Sequence, residues 1–412
     1  MLFRPPMLAI GLLVFASGCA RAPIDKAEQA MRPAREVPLL NETSPMTDFA
    51  GNLERNIEHI RTSKRVGSFR FGERVVGMND YLLGMQHLLE FIRANSDYGI
   101  LTDKIRADFD VYEVYGRADW GEVFMTSYYE PVIEGKRRRD AVHSQPLYGL
   151  PGDLVEIKLR QFGDEYTPFP AAIRGRLTEP EPDGVASIVP YYSREEIDGE
   201  ERLKGKGLEI AWVDPVESFF LQIQGSGVVH FPDGEELRIA YAAQNGHAYE
   251  AVGKFLKHAI PLEEMSLERI ETYLRALPKR EMQDYLNKNP SYVFFKPAEE
   301  NAITYIGTAA VGLRTIATDA RFFPKGAVVL LQFERPIFQD ATGQIVKEWQ
   351  KATQLMIDQD VGGAIKGADR VDLFWGRGAE AKRSAGIIRQ TGRLYYLAPK
   401  DSLIKALKEK TG

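Results

Sequence analysis

The chain has 412 residues, 44% of them hydrophobic and 27% charged, and this length is typical of two or three globular domains. The formal net charge of −5 leaves no basic excess to neutralise a nucleic acid backbone, so nucleic acid is not an expected partner. Cys19 is the single cysteine, which excludes an intramolecular disulfide.

The N-terminus carries the pattern of an export signal. Residues 7–16 (MLAIGLLVFA) form an apolar run that is too short to span a bilayer and is typical of a signal-peptide core. Arg4 is the only charge before Cys19, and small residues precede that cysteine. The pattern resembles a bacterial lipobox with Ala16 in place of the usual leucine. We expect a signal peptide over residues 1–18 and a lipidated Cys19. The alternative is an ordinary signal peptide with an incidental cysteine.

The segment after Cys19 is expected to connect an anchor to a fold. Residues 19–47 are polar and contain four prolines, which favours a flexible tether. By resemblance to lipoprotein sorting rules, Ala20 after the cysteine indicates an outer-membrane lipoprotein that faces the periplasm of a Gram-negative bacterium. The lipid anchor would make the outer membrane one partner of the protein.

The first half of the remaining chain predicts a helix followed by a hairpin. Leu82, Met85, Leu89 and Ile92 recur at helical spacing, and Asn79 or Asp80 is a candidate N-cap. Polar and apolar residues then alternate over 109–114. A turn with glycines at 116 and 121 leads to a second alternating run from 123, which predicts a β-hairpin.

The second half predicts more strands and a helical block. Residues 131–247 have strand patterns, with a hairpin turn at Asp233-Gly234 and a short helix whose capping box is Ser193 and Glu196. Residues 248–288 are predicted helical up to Asn289-Pro290. Four strands (327–334, 353–359, 371–375 and 394–398) and a helix (379–390) follow. The pattern predicts two β-rich domains with attached helices rather than an alternating parallel α/β sheet.

One glycine-rich stretch near the C-terminus holds the strongest candidate site, DVGGAIKGADRVDLFWGRG (360–378). It is not a phosphate-binding P-loop, because Ala368 stands where a lysine is required, and it lacks the ligand spacing of an EF-hand. The six histidines are scattered, so we predict no metal and no cofactor.

With these motifs excluded, the remaining candidate chemistry is proton transfer by a carboxyl group. Asp372 lies between Val371 and Leu373, and apolar surroundings should raise its pKa toward that of a general acid. Phe374 and Trp375 follow and could present their rings to sugars. The alternative from the residues alone is that the aspartates are turn residues and the aromatic residues belong to the core.

Several long segments, in the same order, resemble the family of membrane-bound lytic murein transglycosylase A. The stretch 356–378 resembles that family's C-terminal "3D" aspartate motif. Matching blocks run from about residue 50 to 398. They include FMTSYYEPVIEG (124–135), FFLQIQGSGVVHFPDG (219–234), NGHAYEAVGKFL (245–256), NPSYVFFKP (289–297) and ATDARFFPKGAVVLL (317–331).

The resemblance implies an enzyme that binds peptidoglycan glycan strands and cuts the β-1,4 bond between N-acetylmuramic acid and N-acetylglucosamine. The product would end in 1,6-anhydromuramic acid. The family's catalytic aspartate falls on Asp372, which would act as general acid and then as base, and its earlier aspartates fall on Asp360 and Asp319. Asp358 and Asp369 have no assigned role. Residues expected to contact the glycan are Tyr128, Tyr129, Gln224, Ser226, Gly227, Phe374 and Trp375.

The implied fold is mainly β with attached helices. Residues 48–130 and 299–400 would form a double-psi β-barrel-like catalytic domain. Residues 131–298 would form an inserted β-rich domain, with a groove between the two. Two other functions stay open: an inverting hydrolase that uses Asp372 with Asp360, and a non-catalytic lipoprotein that binds the cell wall.

Overall fold

The computed structural model describes residues 21–411 except 64–66, 167–168, 171, 181, 183, 300–301, 340–344 and 364. The predicted signal peptide and the predicted lipidation at Cys19 lie outside the described residues. Within the described part of the chain, no helix combines the length and the apolar composition needed to cross a bilayer.

The helices and strands are numbered in chain order. The α-helices are α1 Met46–Thr62, α2 Met78–Ala94, α3 Tyr98–Asp108, α4 Pro215–Gln224, α5 Leu267–Ala276, α6 Lys279–Asn287, α7 Gly378–Ile387 and α8 Asp401–Thr411. The strands are β1 Met31–Pro33, β2 Ser68–Phe71, β3 Arg74–Gly77, β4 Phe109–Val114, β5 Glu122–Glu130, β6 Val132–Lys136, β7 Gln145–Tyr148, β8 Leu154–Ile157, β9 Ile173–Leu177, β10 Ile188–Pro190, β11 Glu209–Val213, β12 Ser226–His230, β13 Glu236–Gln244, β14 Val293–Pro297, β15 Thr315–Ala317, β16 Ala327–Phe338, β17 Val346–Asp360, β18 Arg370–Arg377 and β19 Gln390–Pro399.

Six of these strands close into a ring in the order β19-β16-β17-β15-β18-β5, because β5 pairs back onto β19. The pairs β15–β17 and β18–β5 are parallel, and the others are antiparallel. The middle of the ring is apolar on both faces, because the consecutive residues Val329, Leu330 and Leu331 of β16 are all fully buried. This ring confirms the predicted mainly β fold with a double-psi β-barrel-like domain.

Helices α1 and α2 pack together outside the ring, and α2 also contacts β19. The predicted helical spacing is confirmed, since Leu82, Met85, Leu89 and Ile92 are all buried on α2. The predicted caps are wrong. The helix begins at Met78, and its N-cap is Gly77, which makes no side-chain capping bond.

The hairpin predicted between residues 109 and 125 is also wrong. Strand β19 pairs with β4 through its second half and with β5 through its first half. A local alternating pattern identifies two strands but does not show which edge each will pair with. Here the partner of both strands lies far along the chain, and it closes the ring.

The segment expected to be a flexible tether is partly folded. β1 pairs with β4, and Ala30, Met31 and Leu40 are buried. Asn41 donates a hydrogen bond to the carbonyl of Lys351 at 2.6 Å. Apolar residues spaced among the polar ones therefore fix this segment against the ring domain, which the polar composition did not indicate.

Residues from 132 to 297 form a second β-rich region around a six-stranded sheet of order β14-β13-β12-β6-β11-β7. The chain changes sheets at Pro131, between β5 and β6. This change supports the predicted domain boundary, which stays a prediction. The Asp233-Gly234 hairpin is confirmed by the β12–β13 pair, and Gly234 has the left-handed φ of 87° that such a turn requires.

The helices predicted in this region are confirmed in part, and the short one at Ser193 is confirmed by its capping contact. The Ser193 backbone N–H donates to Glu196 Oε2 at 2.7 Å, which confirms the capping box. Helices α5 and α6 confirm part of the predicted helical block, but residues 248–259 contain only a 3₁₀ turn, Val252–Phe255. Helix α4 was not predicted.

Candidate active site

The predicted catalytic Asp372 and the predicted supporting acids Asp360 and Asp319 lie at one edge of the ring. Ala317 on β15 pairs with Asp360 on β17 and with Asp372 on β18. The two aspartates therefore flank one residue, about 10 Å apart at Cα given the usual strand spacing. Asp319 follows β15 by two residues. The ring topology thus brings together residues that lie up to 53 positions apart in the sequence, Asp319 and Asp372.

Asp372 is half-buried, and the described part of the chain gives its carboxyl one hydrogen bond, from the hydroxyl of Thr126 on β5. Burial raises the pKa of Asp372 to about 7; nearby Arg370 lowers it, and the charge of Asp360 adds to the rise. The raised pKa confirms the prediction from the apolar neighbours. At neutral pH this carboxyl can therefore carry a proton and release it.

Asp360 is held firmly in place. Its Oδ2 accepts a hydrogen bond from the Tyr128 hydroxyl at 2.8 Å. Its Oδ1 accepts from the backbone N–H groups of Tyr305 at 3.0 Å and Val361 at 2.9 Å. Burial raises the pKa of Asp360, although these three donors and the ammonium of Lys325 oppose the rise. The carboxylate therefore has a fixed orientation beside Asp372.

Asp319, predicted as a supporting acid, is held by an ion pair with Arg321. Burial alone would raise its pKa, but hydrogen bonds from Arg321 and the backbone N–H of Gly367 outweigh burial and lower the pKa. Arg321 Nη2 lies 2.6 Å from Asp319 Oδ2, and the Gly367 N–H lies 3.0 Å from the same oxygen. Asp319 therefore stays ionised and fixes the glycine-rich loop between β17 and β18.

The two unassigned aspartates have structural contacts. Asp358 is fully buried and forms an ion pair with Lys325, with 2.7 Å between Oδ1 and Nζ. Asp369 forms a partly exposed ion pair with Arg117 at 3.3 Å. Its carbonyl accepts from the N–H of Phe124 at 2.8 Å, which joins the loop to β5.

Most of the predicted sugar-binding rings are buried. Tyr129 and Phe374 are each 4% exposed and Trp375 is 7% exposed, which does not agree with rings that face a ligand. These residues lie in strands whose two faces are both covered, so adjacent rings are packed inside. Tyr128 is different: it is half-buried, its ring centroid lies 5.1 Å from that of Phe374, and its hydroxyl reaches Asp360.

One exposed ring at the site was missed by sequence reasoning. Tyr305 is 55% exposed, and its backbone N–H is bonded to Asp360. It belongs to the connection that leads into β15. Its sequence surroundings give no repeat or motif that would mark it. Only the folded chain brings it next to the aspartates.

The segment 224–227 joins the two regions, and it lies between α4 and β12. Gln224 ends the helix, and its Oε1 accepts from the N–H of Tyr129 at 3.1 Å. Ser226 begins β12 and is half-buried. A Cβ on Gly227 would lie 2.4 Å from Leu221 Cδ1 and 2.9 Å from the Pro131 carbonyl. Gly227 therefore permits close packing, and contact of Gln224 and Ser226 with a glycan stays a prediction.

Known proteins share this organisation. Residues 124–296 match the model of the MltA specific insert domain and residues 314–398 match that of the 3D domain, together more than half of the chain. Membrane-bound lytic murein transglycosylase A of Escherichia coli K12 is 29% identical over 404 residues, 95% of this chain and 94% of that protein. The chain belongs to the membrane-bound lytic murein transglycosylase A family. The resemblance identified in the sequence is thereby confirmed.

Other members of the family agree in sequence and in structure. The Vibrio cholerae protein of the same name is 27% identical over 418 residues, 97% of this chain and 96% of that protein. The transglycosylase from Agrobacterium tumefaciens has a TM-score of 0.70 at 26% identity, covering 93% of this chain and 100% of that chain. E. coli MltA with bound chitohexaose has a TM-score of 0.67 at 25% identity, covering 90% and 95%. The fold is therefore that of murein transglycosylase A along nearly the whole chain.

Proposed function

We propose that this protein is a lytic transglycosylase that cleaves the β-1,4 bond between N-acetylmuramic acid and N-acetylglucosamine and leaves a 1,6-anhydromuramic end. Its relatives are named murein transglycosylases, so family membership makes the chain a peptidoglycan-degrading enzyme. The E. coli relative binds an oligosaccharide, chitohexaose. The finer assignment, of one aspartate and an anhydro product, is a proposal that rests on the family resemblance and on the geometry of the site.

One observation carries this proposal: the three aspartates differ in the pKa of the carboxyl and in the number of hydrogen bonds and ion pairs that hold it. Asp372 has a pKa of about 7. Asp360 is fixed by three donors, and Asp319 is ion-paired to Arg321. The site therefore has one carboxyl suited to exchange a proton at neutral pH, with Thr126 to orient it.

A single carboxyl suffices if the substrate supplies the nucleophile. Protonated Asp372 gives its proton to the glycosidic oxygen, and the bond from that oxygen to C1 of the muramyl residue breaks. The C6 hydroxyl of the same sugar attacks C1, and the Asp372 carboxylate accepts its proton. The aspartate is then protonated again, and no water is consumed. An intramolecular nucleophile has a high effective concentration, which removes the need for a positioned water.

Asp360 fits a supporting role better than that of a base. A base in an inverting hydrolase must bind and activate a water. Both oxygens of Asp360 already accept hydrogen bonds, from Tyr128 on one side and from two backbone N–H groups on the other. Its negative charge can instead stabilise the positive charge that develops at C1 as the bond breaks.

We propose that two aromatic rings contact the glycan. Tyr305 is exposed beside the aspartates, and Tyr128 lies beneath them with its hydroxyl on Asp360. Apolar faces of sugar rings pack against aromatic faces. We therefore assign ring contact to Tyr305 and Tyr128 in place of the buried Tyr129, Phe374 and Trp375.

We further propose that Cys19 is lipidated and holds the enzyme at the outer membrane, facing the periplasm. The relatives are named membrane-bound, and the lipobox-like residues support this placement. The folded segment from β1 onward begins soon after the cysteine. The anchor would therefore keep the catalytic domain close to the membrane surface.

Product release by two matched variants tests the mechanism. Asp372→Asn keeps the shape of the side chain but has no proton to give, so turnover should fall by about 10⁴-fold or more. Asp360→Asn should reduce turnover clearly less, because the asparagine can keep the hydrogen bonds that hold this side chain. Comparable losses in both variants would instead favour an inverting hydrolase. Thermal midpoints measured alongside establish that each variant is folded.

A further inference from the structure

A buried lysine lies directly beneath the site. Lys325 is in the turn between β15 and β16, and its side chain is 7% exposed. Its Nζ lies 2.7 Å from Asp358 Oδ1 and 2.7 Å from the hydroxyl of Thr318. It also lies 2.7 Å from the carbonyl of Asp360 and 2.9 Å from that of Thr318. Four acceptors therefore surround three N–H donors.

The acceptors belong to the two strand ends that carry the aspartates. Thr318 directly follows β15, while Asp358 and Asp360 end β17. One ammonium group thus joins the termini of two neighbouring parallel strands. Asp360 is held from both directions, because Lys325 fixes its backbone carbonyl and three donors fix its carboxylate.

The network is closed on its far side. Asp358 is fully buried, and its Oδ2 accepts from the hydroxyl of Tyr396 at 2.7 Å and that of Thr318 at 2.6 Å. A buried charge pair is tolerated when its remaining hydrogen-bonding groups are satisfied, as they are here. Removing one partner alone would leave an uncompensated charge in the core, whereas removing both need not.

We infer that Lys325 is a positioning residue for the reaction, whose ammonium fixes the end of β17 and so places the Asp360 carboxylate opposite Asp372. This inference rests on the proposed function. Lys325 has its donors occupied inside the fold, so it acts through Asp360 and not on the substrate. A misplacement of about 1 Å at a catalytic group can cost about 10²-fold in rate, which is the scale expected here.

The charge of Lys325 has a second effect on the same group. Among the described residues, the charged and titratable groups near Asp360 include Asp372, Asp358, Lys325 and the phenol of Tyr128, with Arg370 beside Asp372 and Asp319 near Lys325. Lys325 is the cation that lowers the pKa of Asp360. Without it, Asp360 would become protonated at higher pH, and the acidic limb of the pH–rate profile would move toward neutrality.

The decisive variant is the double substitution Lys325→Met with Asp358→Leu in the full-length protein, which removes both charges and retains apolar volume. We expect it to fold with a thermal midpoint near that of wild type. Its turnover on purified sacculi should fall about 10–100-fold, mostly in kcat. The acidic limb should still shift upward although the Asp358 charge is also lost, because Lys325 acts more strongly than Asp358 on the pKa of Asp360. Asp358→Asn, which leaves Lys325 and its other contacts in place, should lose less than about threefold if Lys325 is the part that matters. Lys351→Met, on the exposed part of β17, is the matched control.

Three outcomes separate the claims. If the wild-type protein released no muropeptides from sacculi, the proposed function itself would be overturned. Active wild type together with a folded double variant of normal turnover and pH profile would overturn the role of Lys325 alone. An equal loss in Asp358→Asn would also overturn it, since the buried pair would then matter as a whole. Should the double variant be unfolded by circular dichroism, Lys325→Gln with Asp358→Asn is measured in its place, because it also removes both charges and keeps polar groups near Thr318 and Tyr396. Turnover of that variant within twofold of wild type contradicts the inference.

Discussion

Asp372→Asn should make the protein more stable at alkaline pH while it abolishes activity. Burial raises the pKa of Asp372 from an ordinary 3.8 to about 7 in the folded state. Between these two values the folded protein holds a proton that the unfolded chain has released. The contribution of Asp372 to stability is therefore complete below about pH 3.8 and is lost as the pH rises through 7. An asparagine has no charge to bury, so it avoids this loss.

The size of the effect follows from the difference in pKa. A difference of one pKa unit corresponds to about 1.4 kcal/mol. Ionisation of Asp372 therefore lowers the free energy of unfolding of the wild-type protein by at most about 4 kcal/mol at pH 8 and about 1 kcal/mol at pH 4.5. Asp372 keeps some contact with solvent, which reduces both figures. The hydroxyl of Thr126 can donate equally to the asparagine oxygen, so no other hydrogen bond need be lost. We expect a gain of about 2 kcal/mol at pH 8 and very little at pH 4.5.

Urea denaturation of both proteins at the two pH values measures this difference directly. The unfolding midpoint of Asp372→Asn should exceed that of wild type at pH 8, and the two midpoints should converge at pH 4.5. Thr126→Val is a useful companion, because it removes the hydrogen bond without removing the charge. Equal midpoints of wild type and Asp372→Asn at pH 8 would show that the carboxyl is ionised at no cost. The assignment of Asp372 as a general acid at neutral pH would then fail.

Three further predictions concern single residues. Tyr305→Ala should raise KM for glycan about 2–10-fold with an unchanged thermal midpoint, since the ring is exposed; an unchanged KM would remove it from the binding surface. Tyr129→Ala should instead lower the free energy of unfolding by about 3–5 kcal/mol, measured by urea denaturation, and a fully stable variant would contradict its place in the core. Cys19→Ala should abolish labelling by a radioactive fatty acid in cells, and labelling equal to wild type would exclude lipidation at this position.

Features governed by neighbouring residues could be predicted from the sequence. The spacing of Leu82, Met85 and Leu89 gave α2, and Asp233-Gly234 gave a hairpin, because helical faces and tight turns depend on a few adjacent positions. The apolar neighbours of Asp372 indicated its raised pKa for the same reason. Here local chemistry and tertiary environment agree.

Features that depend on distant pairing could not be predicted. β19 separates β4 from β5, so two strands that resemble a hairpin are not paired with each other. The sequence suggested that the side chains of Phe374 and Trp375 could contact a sugar. In the folded protein both are buried by the closed ring of strands. Lys325 gave no sequence signal, because its contacts are made with three acceptor residues that come from two different strand ends.

The most direct test of the central claim is mass spectrometry of the muropeptides released from purified sacculi by the wild-type protein. The account predicts fragments that end in 1,6-anhydromuramic acid, each lighter by one water than the hydrolytic product, and it predicts their absence with Asp372→Asn. Fragments with ordinary reducing ends, or anhydro products at wild-type yield from Asp372→Asn, would contradict it.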